Sequence, residues 1–390
     1  MKPLEGLTVL DLSRVLAGPY ATMIMADLGA EIIKVERPGE GDDSRAFAPF
    51  IGEESAYFMS LNRGKKSITL DLKAPKDKEI FWQLIDKVDI LVENYRPGTM
   101  EKLGMGYEDI KLRNPKLIYC AISGFGHTGP YSERASYDML AQAMGGVMSI
   151  TGEQGRPPVR VGTSIGDITA ALFGTVGIMT ALHVRSTTGL GQKVDISMLD
   201  SQVAILENAI VRYETTGKAP VPMGTRHPSI APFQAFQTKD YYVIIACGND
   251  ILWAKLCKVM NLENLINDAK YKTNRDRIAH IDELVEIISA ITITKTTEEW
   301  VKILDDAGIP VGVINTVDKV VKDPQVLARN MIVEVEHPIA GKMKFAGNPI
   351  KMSLTPGAVE KPAPILGEHT ATILQEVLDW TPEQIAAYLK

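Results

Sequence analysis

Residues 8–36 read Thr8-Val-Leu-Asp-Leu-Ser-Arg-Val-Leu-Ala-Gly-Pro-Tyr-Ala-Thr-Met-Ile-Met-Ala-Asp-Leu-Gly-Ala-Glu-Ile-Ile-Lys-Val-Glu36, and this stretch decides the fold. Thr8 to Leu12 predicts a short buried strand, Tyr20 to Leu28 a helix with Gly29 as its C′ residue, and Glu31 to Glu36 a second strand. Strand, helix and strand within about thirty residues make a βαβ unit, hence a parallel pair. The turn Ala17-Gly18-Pro19 lacks the G-x-G-x-x-G pattern, so this unit is not a dinucleotide fingerprint.

The alternation continues outward. Ser67 to Leu72 predicts a strand, Asp77 to Lys87 an amphipathic helix, and Asp89 to Asn94 a strand running into Tyr95-Arg-Pro-Gly98. A helix around Gly98 to Leu103 follows, then a strand at Leu117 to Ile122 and the tight loop Ser123-Gly-Phe-Gly-His-Thr-Gly-Pro130. The expectation is an α/β fold with a doubly wound parallel sheet, its ligands at the carboxyl ends of strands. Arg37, Asn94 and Ser123 each stand at such an end.

Further on, Asp138 to Met148 predicts a small-residue helix closely packed on another backbone. Pro157 to Thr175 places Asp167 between Gly166 and an apolar run, Ile168 to Leu182, with helical spacing. Asp167 then sits at or just before a helix start, with Ser164 as another possible cap. Capping is the commonest task of an aspartate there, and a reactive carboxylate is the alternative. Gln192 to Ser197 predicts a strand and Met198 to Tyr213 one long helix. Beyond the Gly/Pro-rich linker at 215–225, Phe236 to Ala246 predicts a hairpin turning near Lys239-Asp240, and Trp253 to Leu304 is largely helical. Ile332 to His337 and Lys342 to Phe345 predict paired strands, Pro356 to Pro364 an extended segment, and Thr370 to Lys390 a helix with a Thr381 cap. The expected organisation is a large domain from 1–200, a linker at 201–225, a small α+β domain at 226–320, and a segment at 321–390 that returns to the large domain.

Bulk properties narrow the function. The 390 residues carry a net charge of −6, which argues against a nucleic-acid binder. Cys120, Cys247 and Cys257 have no paired spacing, and with no signal peptide at Met1 they predict reduced thiols in a cytoplasmic protein. The six histidines form no metal-ligand cluster, so no metal site is expected. No apolar run reaches the ~20 residues of a membrane helix, and no membrane partner is expected.

Several motifs converge. Leu10-Asp-Leu-Ser-Arg-Val-Leu-Ala-Gly-Pro19, Asp27-Leu-Gly-Ala-Glu-Ile-Ile-Lys-Val-Glu-Arg-Pro38, Glu93-Asn-Tyr-Arg-Pro-Gly98, Ser123 to Pro130, Pro158-Val-Arg-Val-Gly-Thr-Ser-Ile-Gly-Asp167 and Gly224-Thr-Arg-His-Pro-Ser-Ile-Ala-Pro-Phe233 resemble the class III CoA-transferases, in the same order along the chain. The resemblance implies a Rossmann-like large domain, a smaller α+β domain and a homodimer of interlocked chains. It implies acyl-CoA and a small carboxylate as substrates, with coenzyme A thioester as substrate rather than as a resident cofactor. Asp167 matches the nucleophile. Val15 and Leu16 match the loop beside the thioester, Arg37 and Lys73 the nucleotide end, and Leu70 an apolar contact near the adenine. Asn94, Tyr95 and Tyr137 match CoA-lining positions, and Lys102 stands where a relative has arginine. Gly248 and Asn249 match an oxyanion and lid loop, although one glycine replaces a run of them. Arg226 and His227 are candidates for receiving the acceptor. Singly, such cations are ordinary surface charges.

The neighbouring α-methylacyl-CoA racemases carry histidine at the position of Tyr137. A phenol of ordinary pKa near ~10 exchanges protons poorly at neutral pH, so the tyrosine favours transfer over racemisation. The stretches Pro158–Ser164 and His227–Phe233 resemble the oxalate branch, and Tyr119-Cys-Ala-Ile122 and Leu366-Gly-Glu-His-Thr370 the glutarate branch. The expected acceptor is a small dicarboxylate, and the expected donor succinyl- or acetyl-CoA.

Overall fold

The computed structural model describes residues 1–389. It divides into two compact units: Met1–Met148 with Arg160–Lys218 and Pro324–Lys390, and Ser149–Val159 with Ala219–Asp323. The chain thus leaves the first unit twice and returns twice.

In the first unit the strands are β1 (Thr8–Asp11), β2 (Glu31–Glu36), β3 (Phe50–Ile51), β4 (Glu54–Ser55), β5 (Lys65–Thr69), β6 (Ile90–Glu93), β7 (Ile118–Ser123) and β8 (Lys193–Ser197). Six of them form a parallel sheet in the order β5-β2-β1-β6-β7-β8, while β3 and β4 make a separate small hairpin. From β1 the chain winds outward to β2 and β5, then crosses to β6 and winds the other way. The switch point therefore lies between β1 and β6, where the doubly wound design opens a crevice. Both faces are covered. Leu10 and Leu91 pack with Phe81, Leu84 and the C-terminal Ile373 and Leu374 on one side. Val9 and Ile90 pack with Ala21, Met25, Ala170 and Ile178 on the other. Burial on both faces explains why these strands read as continuous apolar runs.

Several expectations are corrected. The first helix spans Ala17–Asp27, starting three residues before Tyr20, because Gly18 and Pro19 both fit a first turn. Met198 to Tyr213 is two helices, Met198–Ala204 and Ala209–Thr216, separated where Glu207 takes a positive φ of 55°. The helix Asp138–Met144 stops at Gly145, short of Met148, and this glycine packs so closely on the Gln202 side chain that a Cβ there would collide with it. The C-terminal region is also two helices, Thr370–Glu376 and Pro382–Tyr388, the second opened by a Thr381–Gln384 capping box. Helices at Ala56–Asn62 and Tyr107–Arg113 carried no sequence signal strong enough to predict them.

The helix Ile165–Thr188, 24 residues long, is long and apolar enough to cross a membrane, contrary to the expectation that no such run exists. Its many Gly, Ala and Thr residues disguise that length. Ala170, Ala171, Ile178 and Ala181 place one of its faces in the core.

The second unit holds an antiparallel hairpin, β9 (Phe233–Gln237) and β10 (Tyr242–Ala246), as predicted, and β11 (Val311–Val313) completes a three-stranded sheet against β10. Helices at Asp250–Val259, Asn274–Ala279, Ile281–Thr292 and Thr297–Asp306 pack on it around Trp253 and Trp300. Back in the first unit, β12 (Ile332–His337) and β13 (Gly341–Ala346) pair antiparallel. The three cysteines are buried and unbonded.

Candidate active site

A cavity of about 410 Å³ opens at the carboxyl ends of β1, β6, β7 and β8, at the switch point. Val15 and Leu16 come from the β1 loop, Asn94 and Tyr95 from the end of β6, and Ser123 from β7. Tyr137 and Asp167 complete the wall. The structure thus brings six of the predicted site residues into one place: Val15, Leu16, Asn94, Tyr95, Tyr137 and Asp167.

Asp167 lies inside the first turn of its helix, not at its cap. Ser164 occupies the cap position and makes no side-chain bond there. Asp138, from the neighbouring helix Asp138–Met144, caps this helix instead: its Oδ1 accepts the Gly166 N–H at 2.8 Å and the Asp167 N–H at 3.4 Å, while Oδ2 accepts from Gln142 at 2.7 Å. Gly166 is required by that approach, since a Cβ would lie 2.9 Å from Asp138 Oδ1. With the capping done by its neighbour, the Asp167 carboxylate is free. It has no ion pair or side-chain hydrogen bond among the described residues. Burial, and after it the Asp138 charge, push its pKa up to about 7. Tyr57 feels the same charges: burial, Asp167 and Asp138 together raise its hydroxyl to about 12, so it stays a protonated donor. No motif or spacing points to Tyr57 beforehand.

A second, smaller cavity of about 210 Å³ shares Arg14 and Tyr95 with the first and includes Arg37. Asp43, on the wall of the first cavity, bridges two guanidiniums, at 2.9 Å from Arg14 and 3.0 Å from Arg37, and Glu40 holds Arg37 at 3.1 Å. Lys73 and Lys102 are exposed side chains outside both cavities. Leu70 is 1% exposed, packed in the main core. Arg96 and Arg134 line the large cavity and were not anticipated; the Arg134 guanidinium stacks 4.7 Å above the Tyr131 ring.

The remaining predicted residues belong to the second unit. Gly248 is exposed, and Asn249 caps the helix Asp250–Val259 by accepting the Leu252 N–H at 2.9 Å. Arg226 pairs with Asp282 at 3.0 Å, and His227 stacks on Phe233 with ring centroids 5.2 Å apart. His127 does not line the cavity. Its Nδ1 sits 2.9 Å from Lys193 Nζ, and its Nε2 lies 3.7 Å from Glu93, whose carboxyl burial pushes up to about 7.

A free, half-buried aspartate beside a closely packed glycine, facing a cavity at a switch point, suits nucleophilic attack on a bound acyl group. The family model of CoA-transferase family III matches residues 4–370. The chain belongs to that family. Curated relatives agree along nearly the whole length. The mouse succinyl-CoA:glutarate CoA-transferase is 46% identical over 379 residues, covering 97% of this chain and 87% of its own. The acetyl-CoA:oxalate CoA-transferase of Acetobacter aceti is 42% identical over 376 residues, covering 96% of this chain and 95% of its own. Among solved structures, a CAIB/BAIF family protein from Brucella suis superposes with a TM-score of 0.85 at 40% identity, covering 96% of this chain and 99% of that one. This class III CoA-transferase is therefore an enzyme whose substrates include a CoA thioester, and the cavity holding Asp167 is its candidate active site.

Proposed function

We propose that the enzyme moves CoA from succinyl- or acetyl-CoA to a small dicarboxylic acid through covalent intermediates on Asp167. The observation that carries this reading is the Asp167 carboxylate itself, relieved of capping by Asp138 and facing the cavity without a cation. One carboxylate oxygen attacks the donor thioester carbonyl, forms a mixed anhydride and expels CoA thiolate. The thiolate then attacks the aspartyl carbonyl, releasing the donor acid and leaving an aspartyl-CoA thioester. The acceptor carboxylate attacks that carbonyl, giving a second anhydride and thiolate. The thiolate then attacks the new acyl carbon, regenerating free Asp167. Val15, Leu16, Asn94, Tyr95 and Tyr137 bind the pantetheine and thioester, with Arg37, Lys73 and Lys102 toward the phosphates and Leu70 beside the adenine. Gly248 and Asn249 serve the developing oxyanion, and Arg226 and His227 the acceptor. The two relatives named for glutarate and oxalate transfer support a dicarboxylate acceptor.

The working form is a homodimer of interlocked chains. Leu172, Phe173 and Val176 on the helix Ile165–Thr188, Met139 and Leu140 on the helix Asp138–Met144, and Val211 are large apolar side chains left exposed on the first unit, and a second chain would cover them. Light scattering on the purified protein tests the dimer: a monomeric mass sinks it.

A donor–acceptor matrix tests the reaction: acetyl- and succinyl-CoA against oxalate, succinate, glutarate and monocarboxylates, products read by mass. A new acyl-CoA that disappears in Asp167→Ala is the expected result, with hydroxylamine trapping an aspartyl hydroxamate. Deuterium entering the α-carbon of a 2-methylacyl-CoA, with no transfer in any pair, would put a racemase in its place.

A further inference from the structure

The loop joining β1 to the helix Ala17–Asp27 is held with unusual thoroughness. Val15 stands at φ 67°, in the left-handed region that disfavours a β-branched side chain. Five main-chain groups around it are tied by side chains, four of them by side chains from other strands or loops of the unit. The Ser13 N–H donates to Asp11 Oδ1 at 2.9 Å, and the Ser13 carbonyl accepts from Lys34 Nζ at 2.8 Å. The Arg14 N–H donates to Asn94 Oδ1 at 2.9 Å, and its carbonyl accepts from Asn94 Nδ2 at 2.7 Å. The Val15 N–H donates to Asp42 Oδ1 at 3.0 Å.

Most of these ties are buried charges. Asp42 meets Lys34 at 2.8 Å and Asp11 meets Lys65 at 2.9 Å, with all four side chains 1% exposed or less. Glu36 holds the Asp42 N–H at 3.0 Å and is itself gripped by Arg45 at 2.7 Å. Buried ion pairs contribute weakly to stability, because lost hydration offsets their attraction; where they have a use it is in fixing one geometry. What this set fixes is the wall that Val15 and Leu16 present to the cavity holding Asp167.

We propose that Asp42, with Lys34 behind it, is a positioning residue: it holds Val15 in the left-handed conformation so that the bound thioester meets the Asp167 carboxylate. The inference rests on the transferase reading of that cavity. Neither residue touches the reacting atoms, and both act through the backbone of the loop. A wall displaced by about 1 Å costs roughly a hundredfold in rate, so the expected effect is on the covalent step more than on binding.

The test compares wild type, Asp42→Ala and Asp42→Ala/Val15→Gly by amide hydrogen exchange and by single-turnover formation of aspartyl-CoA, followed by intact mass. In Asp42→Ala the Val15 and Leu16 amides exchange faster while β1 and β2 stay protected, and the maximal single-turnover rate falls about ten- to a hundredfold with a smaller change in half-saturation. Glycine adopts φ 67° freely, so adding Val15→Gly recovers at least threefold of that rate. Unchanged exchange at Val15 would overturn the clamp. Faster exchange with a rate within twofold of wild type overturns the positioning role, as does a loss that follows a lowered Tm and is not recovered by glycine. A wild type that forms no aspartyl-CoA counts against the transferase reading instead. The clamp is then judged on exchange with CoA added: protection of Val15 that Asp42→Ala abolishes keeps it, and no protection removes it.

Discussion

Asp42 and Asp167 are aspartates of the same unit, both deep at the carboxyl edge of one sheet, and their surroundings drive them in opposite directions. Burial acts on each to raise its pKa. At Asp42 the Lys34 ammonium and the N–H groups of Ser44 and Val15 overcome that, holding the carboxyl far below the usual range. Asp167 has no such partner, and the Asp138 charge adds to the burial, so it rises to about 7. The difference teaches what each is for. A carboxylate wrapped in donors is a fixed structural anion, whereas one kept free of them retains lone pairs for bond formation.

The largest test of this contrast is to remove the reactive partner. Asp167→Asn keeps the shape of the side chain and loses its nucleophilic charge, so single-turnover aspartyl-CoA formation should fall by at least about 10³-fold while the fold stands. Transfer surviving within tenfold of wild type would place the nucleophile elsewhere. On the other side, Lys34→Met leaves the Asp42 and Asp11 charges buried without one of their cations. Removing one partner of a buried pair typically costs about 3–5 kcal/mol, so the thermal transition of this unit should drop by several degrees. A Tm unchanged within a degree would show that the Lys34 site is hydrated or redundant.

A smaller effect follows from the acidity of Asp167. Attack requires the ionised form. With a pKa of about 7, kcat/KM for the acyl-CoA donor should climb close to tenfold per pH unit below neutrality and level off above it. A profile flat from pH 5 to 8 would mean that the free enzyme carries Asp167 ionised throughout.

How much of this was legible beforehand varies with range along the chain. The βαβ unit at 8–36 was readable because its period changes within one short stretch, and its parallel pairing follows from that alone. Asn94 stands at a strand end in the pattern alone and Asp167 at a helix start, but Val15, Leu16, Tyr95 and Tyr137 are readable only through family motifs, since nothing in local spacing says that loops from β1 and β6 meet. The capping of the Asp167 helix by Asp138 is invisible for the same reason: a sequence offers Ser164 and Asp167 as local caps, and the carboxylate that accepts the first N–H groups lies about thirty residues back. The breaks in the helices near Gly145 and Glu207 escape a sequence reading because apolar periodicity continues across them, whereas Gly145 packs against the Gln202 side chain and Glu207 takes a left-handed φ. Lys34 carries no sign of burial in its strand pattern, and its burial is explained by the carboxylates of Asp42, Asp11 and Glu36 and by the Ser13 carbonyl that surround it.

The smallest effect is the most diagnostic, because it asks whether a reactive carboxylate is a burden on the fold. A carboxyl whose folded pKa is raised binds its proton more tightly in the native state than in the unfolded chain. Near pH 3 and below both states are protonated and almost no penalty exists. As pH rises from about 4 toward 7, the unfolded chain ionises first, stability falls, and above 7 the penalty is complete. Asp167→Asn removes the group that suffers it. The variant should therefore be more stable than wild type at pH 8, by about 1–2 kcal/mol once solvent reaching the cavity is allowed for, and the two should melt together near pH 3. Asp42→Asn should behave in the opposite sense: it discards a carboxylate that stabilises the fold above about pH 4, so its deficit is largest at neutral pH and shrinks as acid protonates the wild type. Parallel melting curves across pH 4 to 8 for Asp167→Asn would show that the carboxylate is already at ease in the cavity, and the contrast with Asp42 would lose its energetic basis.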